Sequence, residues 1–180
     1  MNLETPSLVE QISDMYAESG RELLSTYGVE ATMGDTRAAG SEICSIVSIT
    51  GPGIKLVSVI QPDIALLKAL YPGDASALAP QDIEDWCGEM NNQLAGRIKN
   101  KLLNRGCEVM LGIPSQVVGT EVQATLPRWA ESTHMEFESS VGSLWAIQLV
   151  RLEPEFELLP AGAVVAASDG LMREGEISLF

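Results

Sequence analysis

The order of apolar and polar positions divides the chain into two long helices and several short strands. Over residues 6–27, Leu8, Ile12, Met15, Leu23 and Leu24 recur near helical spacing. Thr5 and Pro6 suit the N-cap and first helical position, and Gly28 suits the stop. A short strand is predicted at 29–33. Residues 43–49 and 54–60 are rich in β-branched side chains and flank Gly51-Pro52-Gly53, which predicts a hairpin. Both of its strands are apolar on both parities, so the hairpin is expected inside a covered sheet. A short helix at 63–70 closes on Tyr71-Pro72-Gly73.

The second long helix is predicted over 80–104. Pro80 fits its first position, and Asp82, Glu84 and Asp85 lie where the macrodipole favours negative charge. Lys99, Lys101 and Arg105 lie near the other end, where Gly106 can take a left-handed stop. A strand at 107–113 is expected to lead into a loop at Pro114. Two more strands follow, at 133–139 and 143–152. In the first, Met135 and Phe137 alternate with His134, Glu136 and Glu138; in the second, Trp145, Ile147 and Leu149 mark the apolar parity. A further edge strand is expected at 163–167, within a tail (153–180) that the pattern otherwise leaves open. Hairpins outnumber strand–helix–strand crossovers. The expected fold class is therefore α+β, a largely antiparallel sheet with long helices packed on one side, in one domain spanning 1–180.

On a helical wheel, the 80–104 segment has a core arc of Ile83, Cys87, Met90, Leu94, Ala95, Ile98 and Leu102. Opposite lie Asp85, Glu89, Asn92 and Gly96, whose spacings of four, three and four form a straight row. An ordinary solvated face would mix Glu with Lys at that spacing. This row holds two acids, an amide and a glycine that costs about 1 kcal/mol of helix propensity. The alternative is plain solvation. The functional reading is a docking surface, with Gly96 letting another backbone come close.

Composition narrows the partners. The net charge of −14 disfavours nucleic acid and anionic membranes, which need clustered Lys and Arg. No apolar run reaches the ~20 residues of a membrane span, and Met1-Asn2-Leu3-Glu4 is unlike a secretion signal, so a cytoplasmic protein is expected. Cys44, Cys87 and Cys107 have neither disulfide nor zinc spacing and read as buried small hydrophobes. The single histidine, His134, has no nucleophile pattern near it. No phosphate-binding glycine loop is present.

The stretch Asp85-Trp86-Cys87-Gly88-Glu89-Met90-Asn91-Asn92 fits Asp/Ser-x-x-x-Glu-x-x-Asn and resembles the signature of the CheC/CheX/FliY family of chemotaxis phosphatases. In that family a proline follows after about 22 residues; here Pro114 follows Asn92 after 21 intervening residues. CheC-type members carry two motifs. In the first helix Glu10-x-x-Ser13 and Glu18-x-x-Arg21 come nearest to a second, and neither has the asparagine, so the chain resembles the one-motif, CheX-like branch. The resemblance implies a CheC-like fold and hydrolysis of the aspartyl phosphate on a CheY-like response regulator. It implies Asn92 and Glu89 as catalytic residues, with Asn92 orienting the water and Glu89 pairing with the regulator's lysine. Asp85 and Gly96 would support docking. It implies no cofactor or metal of the chain's own, with Mg2+ held by the regulator, and it admits a homodimer. The competing expectation is a non-catalytic CheX-like adaptor or dimerisation module.

Overall fold

The computed structural model describes residues 6–34, 41–122, 127–128 and 130–160. Thr5 and the tail strand expected at 163–167 lie outside the described residues.

Helix α1 (Leu8–Thr26) begins two residues later than a Pro6 start would require. Ser7 is its N-cap: Ser7 Oγ accepts from the Glu10 amide, and the Glu10 carboxylate accepts from the Ser7 amide. This reciprocal pair satisfies two otherwise orphaned donors, which outweighs the preference of Pro6 for a first position. Gly28 stops the helix at φ +73°.

Strand β1 (Thr32–Gly34) is shorter than expected and follows a turn. The hairpin of β2 (Ser41–Gly51) and β3 (Ile54–Pro62) forms in the predicted place. Helix α2 (Ile64–Leu70) follows, then a single 3-10 turn (Ala75–Ala77), then α3 (Pro80–Leu103). The Asp82 carboxylate accepts from the Ala79 amide at 2.8 Å and so closes the start of α3. Gly106, at φ +75°, permits the chain to leave its end.

The expected strand over 107–113 shrinks to β4 (Met110–Leu111). Pairing resumes beyond Pro114 in β5 (Ser115–Val122), which the apolar pattern did not mark. Both flank the same edge of β2, with β4 opposite Ile49–Thr50 and β5 opposite the Ser41–Ile46 stretch. Strands β6 (Glu131–Ser139) and β7 (Gly142–Leu152) complete the sheet. Its order is β1-β6-β7-β3-β2-β4, with β5 also on β2, and every pairing is antiparallel.

The helices cover one face of this sheet. Ile12, Tyr16, Leu23 and Leu24 of α1 and Met90, Leu94, Ile98 and Leu102 of α3 bury against Val47, Leu56, Ile60, Phe137 and Ala146. The register corrects the reading of β7. Phe137 faces Leu144 and Met135 faces Ala146, so the helix-facing parity is Leu144, Ala146, Gln148 and Val150. Trp145, Ile147 and Leu149 point to the opposite face, where they form a smaller cluster with Cys44 and Val59. Both faces of β7 are buried, so alternation alone cannot say which parity meets the helices. The architecture is α+β, an antiparallel sheet with its helices on one side. Among the described residues no helix is long and apolar enough to cross a membrane.

Candidate functional site

The wheel of α3 is realised in three dimensions. Cys87, Met90, Leu94, Ala95, Ile98 and Leu102 are fully buried. On the other side Asp85 is exposed, and Glu89, Asn92 and Gly96 are half-buried. The three-residue step from Glu89 to Asn92 leaves their Cβ atoms about 5–6 Å apart, close enough for both to address one group.

Each member of the row has a distinct local environment. Glu89 Oε1 accepts from Gln93 Nε2 at 3.0 Å, and Gln93 Oε1 accepts from the Tyr27 hydroxyl at 2.8 Å. The phenol thus fixes the amide's orientation, and the amide fixes one carboxylate oxygen; among the described residues Oε2 has no partner. Tyr27 is held in turn by an edge contact with Trp86, whose ring meets Tyr71 in the same way. Asp85 Oδ1 accepts a long bond (3.4 Å) from Gln81. Asn92 makes no side-chain hydrogen bond among the described residues, so its donor and acceptor are both unengaged. Gly96 faces open space: a Cβ built there meets no heavy atom within 4 Å.

The neighbouring glycine behaves differently. Gly88 is buried, and a Cβ there would overlap the Gln116 amide. Gln116 is the second residue of β5, two residues after Pro114. The loop at Pro114 therefore delivers a strand onto the flank of α3 beside Glu89.

The apolar pattern overlooked three residues that hold this surface. Gln93 and Tyr27 orient Glu89. Asn91, adjacent in sequence to Asn92, is fully buried and bonded to the sheet. Its position one residue from Met90, on the edge of the core arc, was the available signal.

The other candidate chemistry does not converge here. Cys44, Cys87 and Cys107 are free and buried, and burial pushes the Cys44 thiol up to about 11 and the Cys87 thiol up to about 12. His134 is exposed and packs against Trp145 on the far face of the sheet. Among the described residues no group of three or more His, Cys, Asp or Glu is arranged to hold a metal ion.

No curated protein matches the chain. Among solved structures, the chemotaxis protein CheX from Vibrio vulnificus superposes with a TM-score of 0.68 at 17% identity, covering 78% of this chain and 96% of that one. A CheC-like superfamily protein from Shewanella gives 0.67 at 18%, covering 84% and 99%. The CheX of a CheX–CheY–BeF3–Mg2+ complex from Borrelia burgdorferi gives 0.59 at 16%, covering 81% and 98%. At these identities the likeness establishes the fold. The sequence itself matches the family described as chemotaxis phosphatase CheX over residues 43–138, from the hairpin through α3 to β6, and the chain belongs to that family.

Proposed function

We propose that the protein hydrolyses the aspartyl phosphate of a CheY-like response regulator by in-line attack of water. The observation that carries this reading is the outward row of α3, where an oriented carboxylate and an unengaged amide stand one helical turn apart. An acyl phosphate is already activated, so the enzyme's task is to position a water and help distribute charge. A neutral amide suits that task. Asn92 can accept from the water through its oxygen and donate to a phosphoryl oxygen through its nitrogen. A carboxylate in its place would repel the phosphoryl group. Glu89, already oriented by Gln93, would pair with the regulator's lysine, and Asp85 and Gly96 would line the docking surface. The Borrelia burgdorferi CheX–CheY complex supports a receiver-domain partner.

The test is phosphate release from a phosphorylated CheY-type receiver domain with and without the protein. Added rate that Asn92→Ala abolishes while binding persists is the expected result. A wild-type protein that binds the receiver but adds no rate would establish an adaptor instead. Glu89→Lys should weaken binding by reversing the charge offered to the lysine, and unchanged affinity would remove Glu89 from the interface.

A further inference from the structure

Two adjacent asparagines on α3 have opposite fates, and the inner one is tied to the sheet by directional bonds. Asn91 is fully buried. Its Nδ2 donates to the carbonyl oxygens of Ser45 at 2.9 Å and Ser58 at 3.2 Å, and lies 3.3 Å from Ser45 Oγ. Its Oδ1 accepts from Ser58 Oγ at 2.6 Å. Ser58 Oγ has only one proton, and that proton goes to Asn91; the Tyr16 hydroxyl at 2.7 Å must therefore donate to Ser58. The amide cannot be flipped, because its oxygen would then face two carbonyl oxygens. One side chain of α3 thus joins β2, β3 and, through Ser58, α1.

We propose that Asn91 is a positioning residue: its bonds to Ser45 and Ser58 fix the rotation of α3 about its own axis and so aim Glu89 and Asn92 at the partner. This rests on the phosphatase reading of those two residues. The apolar contacts of Met90 and Leu94 are non-directional and resist small rotations weakly, whereas a satisfied buried polar network specifies one arrangement. Side chains lie about 5–6 Å from a helix axis, so a rotation of roughly 10° carries an outward group by about 1 Å. A displacement of that size can cost about a hundredfold in rate.

The test replaces Asn91 with leucine, alone and together with Ser58→Ala and Tyr16→Phe. The triple variant also removes the Ser58 hydroxyl, which loses the Asn91 acceptor in the single variant, and the Tyr16 hydroxyl that donates to it, and it serves if the single variant does not fold. Phosphate release is measured against the concentration of a phosphorylated CheY-type receiver domain. In a variant with cooperative unfolding, kcat should fall ten- to a hundredfold while KM stays within about threefold. Wild-type kcat overturns the proposal, as does a parallel loss of kcat and rise of KM, which signifies general disruption. The crystal structure of the variant is the second readout. Asn92 should shift by about 1 Å or more relative to β2 and β3, and an unmoved Asn92 overturns the proposal. If the wild-type protein releases no phosphate, the phosphatase reading fails, and the structural readout still decides whether Asn91 sets the helix.

Discussion

The inner and outer faces of α3 run side by side over six turns and are built on different terms. On the inner face Cys87, Met90, Leu94, Ala95, Ile98 and Leu102 are all 0% exposed, and the polar residue there, Asn91, has its amide fully engaged by the sheet. On the outer face the side chains of Asp85 and Glu89 hydrogen-bond, among the described residues, to glutamines of the same helix, Asn92 bonds to nothing described, and the space over Gly96 is empty. The inner face is explained by folding alone. The outer face is not: stability would favour alanine at Gly96 and paired opposite charges along the row. What folding leaves unexplained is the part a partner can use.

The comparison breaks most readily through the core. Leu94→Ala deletes a fully buried side chain among closely packed neighbours and should lower unfolding free energy by about 2–5 kcal/mol. Asp85→Ala, on the exposed side, should change it by no more than about 0.5 kcal/mol. Urea denaturation of the two variants measures the contrast. Equal losses would mean that α3 is not sided as described.

Alkaline pH probes the inner face through Cys87. Burial pushes the Cys87 thiol up from its ordinary 9.0 to about 12, with the nearby Cys44 adding to the shift. The native state therefore keeps a proton that the unfolded chain releases above pH 9. The associated stability is intact below pH 9 and declines as pH rises from 9 towards 12, by about 1.4 kcal/mol per unit for one such thiol. Cys44, pushed up to about 11, acts in the same sense. Urea midpoints between pH 8 and pH 10 should fall for the wild type and fall less steeply for Cys87→Ala. Identical slopes would show that the Cys87 thiol is solvated.

Much of this was legible in the sequence, for reasons that differ by element. The 24 residues of α3 repeat the same helical pattern often enough to define both faces, and Pro80 and Gly106 mark its ends by backbone chemistry. The hairpin was equally plain, because β-branched runs flank an unambiguous turn. β5 was hidden because Val117 and Val118 are both exposed, so the strand has no buried parity to read. The facing of β7 was hidden for the opposite reason, since both of its parities are buried. At the site, the row from Asp85 to Gly96 follows from spacing along one helix. The supports of that row depend on residues distant in sequence: Asn91 needs Ser45 and Ser58, and Gln93 needs Tyr27. A binary hydrophobic pattern also has no symbol for a polar side chain whose every bond is satisfied in the core.

The sharpest form of the comparison is at Gly96, where the two kinds of constraint act in opposite directions on one atom. A methyl group there meets no heavy atom within 4 Å, so Gly96→Ala encounters no steric penalty within the chain. It removes the glycine's excess backbone entropy in the unfolded state and should stabilise the free protein by up to about 1 kcal/mol. The same methyl group projects from the row assigned to docking. If a partner's backbone lies close over Gly96, affinity for a receiver domain loaded with beryllium fluoride and Mg2+ should fall even as the denaturation midpoint rises. Calorimetric titration and urea unfolding of the one variant read the two effects separately. A gain in stability with unchanged affinity would remove Gly96 from the docking surface and leave Glu89 and Asn92 in place. A loss of stability would mean that the outer face of α3 is covered by this chain itself, and the contrast between the two faces would no longer hold.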